Sequence, residues 1–491
     1  QPHGSSICIA QISERSCFLI ASWHLSRMSQ LASFSETRDG TVAQPLTTTE
    51  AARTVAQEIS ARSYRREFVI FALAFSMNHA TVTTPIAFAS TLLTTVAGNA
   101  SNATLYGACL ISSLFFSSFL LSLLGSKKGL VVALGAYSIY TFLFAVACSL
   151  CAETLESGKC TRGEALQMPI ALIGAVIGGL GAGLLWTCQG AFLTMLCEKL
   201  ADQEGRVKEE VTAEIMGTWG LIFLGCECSV RALTTVFTKY AELSKPTVFY
   251  IWAGVALLST LTFLAFASNF SRSQPFSRSQ FTEKLLAAVS LWSEPQLWLL
   301  QCTNITFGFA AAWNAGYVSQ NITTKALGAD FIGFAAAMLS GIAAILSKLF
   351  GFLSQRYGKG PIVLLGALAF LSLGIFSKWV GEPAKWGWGT LVFYAFMGIG
   401  RAVYESTNKA IFSDFFPGPK SPGAFANVFV FNSLSSTVAF ILGACNVTLP
   451  ELYLLIGFAA LTFPGFVVAS LLQKRANGTR VVEENALEEA K

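Results

Sequence analysis

Charge is what this sequence has least of. Asp, Glu, Lys and Arg make up 12% of its 491 residues, against about 25% in ordinary soluble domains. A soluble chain of this length needs far more polar surface to cover its core, so that class is excluded. Lys and Arg exceed Asp and Glu by only five (33 against 28) and are scattered. There is no basic footprint of the kind that binds nucleic acid. HExxH, GxSxG and P-loop patterns are missing, so no enzyme and no cofactor is expected. The spacing of Cys and His suggests no metal site. The twelve Cys stand mostly inside apolar runs and read as small hydrophobes. Cys151 and Cys160 flank a polar loop, where a disulfide would form only in an oxidising compartment.

What is present is hydrophobic, at 53% of residues, with 40 Phe and 41 Gly. Glycine is tolerated in membrane helices, where it allows close packing. Twelve segments reach the roughly 20 apolar residues that a bilayer crossing needs. They lie near 67–90, 105–124, 129–150, 169–193, 214–237, 247–267, 293–316, 329–352, 361–380, 388–410, 424–445 and 450–472. The fold class is therefore an all-α membrane protein with twelve transmembrane helices. The polar stretch at 268–290, after the sixth segment, divides it into two six-helix bundles, 65–267 and 291–473. Residues 1–64 are polar and Ser/Thr-rich, and are expected to be disordered or a targeting segment, with Met28 an internal start. Residues 474–491 form a tail.

Lys and Arg bias orients the chain. Arg62, Arg65 and Arg66 precede the first segment, Lys127 and Lys128 follow the second, and Lys474 and Arg475 follow the twelfth. Both termini are expected in the cytosol. The glycosylation sequons at Asn99, Asn102, Asn321 and Asn446 then fall outside, whereas those at Asn269 and Asn477 fall inside and should be unused.

A short internal echo supports a duplicated plan. LGSKKGLVVALG, from Leu124, joins segments 2 and 3, and YGKGPIVLLG, from Tyr357, joins segments 8 and 9. Parallel six-helix repeats build the major facilitator fold, whose site lies at mid-membrane between the halves.

Polar residues inside the apolar segments are the candidates for chemistry. The tenth segment runs into RAVYESTNKAIFSDFF, which follows Gly400. In it Arg401, Glu405 and Asn408 are spaced i, i+4, i+7 on one helical face. Arg401 and Glu405 would neutralise each other away from lipid, with Asn408 as a hydrogen-bond partner. Lys409 also stands four residues from Glu405. Two readings stay open: a packing or gating pair, or a coupling site in which Glu405 takes up a proton. Glu227 and Arg231 in the fifth segment form a second i, i+4 pair, read as a local brace. Trp186 and Gln189 share a face in GGLGAGLLWTCQGAFLTML, whose glycines suit helix packing and not a dinucleotide. Asn78 and His79 interrupt the first segment, and Asn304 and Asn314 the seventh. These six are expected to line a cavity, or else to make interhelical hydrogen bonds.

Three stretches carry a resemblance. GLGAGLLWTCQGAFLT, TNITFGFAAAWNAGYV and RAVYESTNKAIFSDFF resemble the Unc-ninety-three-like branch of the major facilitator superfamily. GFLSQRYGKG resembles that superfamily's signature loop, with Gln355 where an acidic residue is usual. The resemblance implies a twelve-helix major facilitator fold in a lipid bilayer. It implies either a carrier of a small solute or ion, or an accessory protein that regulates a potassium channel or receptor trafficking. Gate or coupling roles would fall to Arg401, Glu405, Asn408 and Lys409.

Overall fold

The computed structural model describes residues 48–150, 164–268, 289–417 and 420–489. The Cys151–Cys160 loop, most of 268–290 and the sequon at Asn269 lie outside the described residues. Within them the chain is almost entirely helical.

Helix α1 covers Thr48–Leu92, so it starts well ahead of residue 64. Helix α2 covers Thr95–Ile111 and continues through a π-helical turn, Ser112–Phe116. It runs on into Ser117–Leu150, which kinks at Gly125; the part beyond the kink is α3. Then come α4, Glu164–Glu204; α5, Lys208–Thr235, with a π turn Val236–Tyr240; and α6, Lys245–Phe266. The second half repeats this order. Helix α7, Pro295–Trp313, passes into a π segment Asn314–Thr323. Helices α8, Ile332–Tyr357, and α9, Gly360–Trp379, follow. Helix α10 has an α part Leu391–Val403, a π turn Tyr404–Asn408 and a last α part Lys409–Phe415. Helices α11, Ser421–Ala444, and α12, Thr448–Glu489, complete the chain. The expected tail from 474 is thus a continuation of α12.

Among the described residues, nine helices are long and apolar enough to cross a membrane. The other three crossings are α2, α7 and α10, each interrupted by a π turn. Such turns occur mostly where function or packing needs an extra residue in a helix. With twelve crossings, the start of α1 and the end of α12 lie at the same end of the molecule, called here the terminal end. The opposite end is the distal end.

The internal echo is a backbone repeat as well. Gly125 has φ 74°, ψ 167°, and Gly358 has φ 80°, ψ 169°. This region of conformational space is open to glycine alone. Each of these residues ends one crossing and starts the next, 233 positions apart (358 − 125). Lys127 then donates to the Ala267 carbonyl in the first half, and Lys359 pairs with Asp414 in the second.

The glycines of α4 work by proximity. A Cβ on Gly179 would stand 2.3 Å from the Leu105 carbonyl oxygen in α2, and one on Gly181 would stand 2.6 Å from Ala136 in α3. Successive glycines thus let α4 touch two neighbours at backbone distance. This is the packing role expected of them.

Gly125→Ala and Gly358→Ala are each expected to destabilise the chain by about 1–3 kcal/mol. Gly190→Ala should be neutral or slightly stabilising, because no atom lies within 4 Å of its added Cβ and Ala is the better helix former. Thermal unfolding of the detergent-purified chain compares the three; equal losses would show that the positive φ carries no special weight.

Candidate functional site

The charges in α5 and α10 meet in the middle of the molecule. Glu227 is wholly buried. Arg401 Nη1 donates to its Oε1 at 2.6 Å and Nη2 donates to its Oε2 at 2.8 Å. This parallel fork is the strongest geometry a guanidinium and a carboxylate can adopt. It joins α10 of the second half to α5 of the first. Arg231 approaches the same carboxylate at 2.6 Å, one turn along α5. Ser340 of α8 donates to Glu227 Oε1 at 3.0 Å and accepts from Arg231 Nη1 at 2.7 Å. Arg231 also donates to the carbonyls of Ala336 (3.4 Å) and Thr83 (3.5 Å). One carboxylate therefore serves two guanidiniums, and the cluster carries one net positive charge.

This corrects the expected pairing within α10. Arg401 does not pair with Glu405; Glu405 instead pairs with Lys409 at 2.6 Å. A bidentate partner 174 positions away outcompetes a neighbour on the same helix. Nor do Arg401, Glu405 and Asn408 act as one face. The π turn at Tyr404–Asn408 inserts an extra residue and turns Asn408 away from the seam. Asn408 is buried inside the second half and donates to Asn304 Oδ1 at 2.8 Å, and Asn304 donates to Gln301 at 2.6 Å. The local Glu227–Arg231 brace exists, but as one arm of a cluster that spans both halves.

The other predicted cavity residues divide. Asn78 is a packing residue: its amide donates to the carbonyls of Leu134 (3.2 Å) and Ala256 (2.9 Å) and to Thr260 Oγ1 (3.1 Å). These bonds tie α1 to α3 and α6 deep in the first half, away from the seam. Asn304 is also buried, held by the α7–α10 bonds above. Asn314 is buried, and its backbone carbonyl accepts from Ser319 at 2.9 Å across the π segment. Asn78 and Asn304 satisfy packing because amides inside hydrocarbon find partners on adjacent helices, whereas the Asn314 Oδ1 has no hydrogen-bond partner among the described residues.

Trp186 does reach the seam, and His79 packs against it. His79 is ringed by Phe223 at 5.0 Å, Trp186 at 5.2 Å, Tyr137 at 5.8 Å and Phe75 at 6.1 Å. Its Nδ1 has no hydrogen-bond partner among the described residues. Trp186 stacks on Phe429 of α11 across the seam at 6.1 Å. Phe223 precedes Glu227 by one turn, so the aromatic wall stands on the terminal side of the charge cluster. Trp186, Gln189 and the Glu405–Lys409 pair are half-buried in this same middle zone.

Sequence reasoning missed Ser340, Phe223 and Phe429. A serine and two phenylalanines in apolar segments carry no signal until neighbouring helices are placed. Two predicted sequons are also corrected. Asn99 and Asn102 are buried among helices, and Asn102 donates to the Ile86 carbonyl at 3.1 Å. Asn446 is exposed at the distal end, and Asn321 is half-buried there.

Among the described residues, the other hydrogen bonds and ion pairs between the halves lie at the distal end. Ser90 of α1 donates to the Ala315 carbonyl of α7 at 2.9 Å. Gln320 donates to Thr95. Thr235 Oγ1 donates to the Asp330 carbonyl at 2.9 Å and accepts from the Phe334 N–H at 2.8 Å. Lys245 lies 3.4 Å from Asp330. At the terminal end, Arg65, Glu204, Glu214 and Arg206 are linked within the first half. Lys420 and Glu294 are linked within the second.

Twelve helices in two repeated halves, facing each other across a buried charge cluster, define an integral multi-pass membrane protein with the major facilitator fold. Comparison with solved structures gives the same fold. The xylose transporter XylE from E. coli, in a partially occluded inward-open conformation, superposes with a TM-score of 0.55 at 13% identity. The match covers 84% of this chain and 99% of that one. The nucleoside transporter NupG matches with a TM-score of 0.55 at 15% identity, covering 84% and 99%. No family model matches the chain. Among curated proteins, the chain is similar to Protein unc-93 homolog A. The Bos taurus protein is 26% identical over 421 residues, 77% of this chain and 87% of its own length. The Homo sapiens protein is 22% identical over 410 residues, 76% and 85%. The resemblance to the Unc-ninety-three-like branch thus extends over three quarters of the chain, well beyond the three short stretches.

The cluster predicts a graded response. Glu227→Gln leaves two guanidiniums buried without a counter-ion and should destabilise by about 3–5 kcal/mol. Arg401→Gln should cost less, since Glu227 and Arg231 remain a neutral pair. Glu405→Gln removes a half-exposed pair, worth about 0–1 kcal/mol. Thermal unfolding followed by tryptophan fluorescence should rank them in that order; a larger loss for Glu405→Gln than for Glu227→Gln would contradict the assignment.

Proposed function

We propose that this chain carries a small solute or ion across a membrane by alternating access, with both termini in the cytosol. The observation that carries this reading is the Arg401–Glu227 fork, which ties the two halves together at mid-depth. Together with the distal contacts, it closes the path on one side. On its terminal side stand His79, Trp186 and Phe223 from the first half and Glu405 and Lys409 from the second. They offer a solute apolar faces together with one carboxylate and one ammonium. In this reading the Glu227 cluster is the gate. Neutralising Glu227 releases Arg401, and the distal seam opens.

A carrier must visit a distal-open state. A donor–acceptor dye pair attached through unnatural amino acids at Glu242 and Lys385, both exposed at the distal end, reports that opening. In liposomes, Glu227→Gln should shift the distance distribution towards longer separations relative to the parent chain. A single unchanged distance in the parent chain, Glu227→Gln and Arg401→Gln alike would refute alternating access through this gate.

A second reading, an accessory protein that binds an ion channel or receptor, has one observation in its favour. Gln355 stands where the signature loop usually has an acid, and it is exposed with no hydrogen bond among the described residues. The loop's charge relay is thereby weakened, which relaxes the demands of rocking. Mild-detergent purification that yields a stoichiometric channel or receptor, from a chain that shows no distal opening, would favour this second function.

A further inference from the structure

A second polar site lies at the distal end, away from the charge cluster. Glu451, in the first turn of α12, is 4% exposed. Among the described residues its carboxylate has no ion pair and no hydrogen bond. The spacing Thr448-x-x-Glu451 suits a reciprocal capping box, but those bonds are not made. Lys325, exposed nearby, donates to Asn321 at 3.4 Å and leaves the carboxylate alone. A carboxylate this deeply buried without a partner is costly, and it normally takes up a proton or acquires a group of opposite charge.

The structure provides room for it. Glu451 lines a cavity of about 30 Å³ together with Thr95, Asn99, Gln320 and Asn321. A single water needs about 10–15 Å³ on the same measure. Asn99 is also 4% exposed, and its Oδ1 has no hydrogen-bond partner among the described residues. Its side chain comes from α2 of the first half and is wedged between two glycines of the second. A Cβ on Gly316 would lie 3.2 Å from Asn99 Oδ1, and one on Gly443 would lie 3.1 Å from its Nδ2. Those glycines are what admit the amide to the cavity. Thr95 Oγ1 already accepts from Gln320, and this places a further oxygen at the wall.

We infer that this cavity binds a monovalent metal cation, sodium- or potassium-like, between Glu451 and Asn99. Carboxylate and amide oxygens are hard ligands that suit hard cations. One carboxylate balances one charge; a divalent ion would leave a buried excess. The ligands come from both halves, Asn99 and Thr95 from the first and Glu451 from the second. The site is therefore complete only while the distal ends are together, and the cation favours that closed state by its differential affinity. The inference does not depend on transport.

The test is thermal unfolding of the detergent-purified full chain in sodium, potassium or choline chloride at constant ionic strength. The midpoint should rise saturably with sodium or potassium relative to choline. Glu451→Gln should abolish the rise, and Asn99→Ala should weaken the apparent affinity by about tenfold or more. Glu382→Gln, at an exposed distal carboxylate paired only with Lys385, should keep it. Equilibrium binding of radiolabelled sodium or rubidium to the parent chain should saturate near one ion per chain, and decides the matter if Glu451→Gln does not fold. The inference is overturned if sodium, potassium and choline give the same midpoints with no saturable binding. It is equally overturned if Glu451→Gln keeps the cation response, or if only pH, and no cation, moves the midpoint.

Discussion

The whole arrangement turns on one carboxylate held by two guanidiniums at the seam between the halves. A single charge in hydrocarbon is unfavourable by about 2.5–3.5 kcal/mol even on insertion scales. Three charges together are tolerable only if they compensate one another and fill their remaining hydrogen-bond positions. Glu227, Arg231 and Arg401 meet most of this demand with help from Ser340 and two backbone carbonyls, and the Nε–H of each arginine is left without a partner among the described residues. The requirement is geometric. Helices α5, α8 and α10 must approach at that point, from both halves, or the charges are stranded. The cluster therefore fixes how the halves dock as well as offering a place where docking can be released.

The π turns fit the same logic. They fall in α2, α5, α7 and α10, and two of these helices supply the charged fork. An extra residue per turn changes which side chains face the seam without breaking the helix. In α10 it sends Arg401 across to the first half and Asn408 back into the second. A regular helix would present both on one face. The π segment of α7 likewise carries Gly316 and Gln320 to the distal cavity, where they meet Asn99 and Thr95 of α2.

The two halves also show how a degraded repeat retains its shape. LGSKKG and YGKG share few residues, yet Gly125 and Gly358 adopt nearly the same backbone angles. The chain must reverse at that point without a side chain in the way.

Composition and periodicity determined the class: twelve apolar stretches split by one polar interval, and a glycine-rich fourth helix built for close contact. These are local properties, set by the bilayer's thickness and by backbone sterics, and a one-dimensional string records them. The partners of the polar residues were a different matter. Arg401 stands four residues from Glu405 and 174 from Glu227, and spacing alone favours the nearer. Asn78 and His79 are adjacent in sequence, yet one ties α1 to α3 and α6 and the other packs among the rings beside Trp186. Asn99 reads as a glycosylation sequon and ends up sealed beside Glu451. In each case the outcome depends on which helices lie alongside and at what depth. Electrostatic and hydrogen-bond energies depend on distance through space, and only the tertiary structure sets that distance.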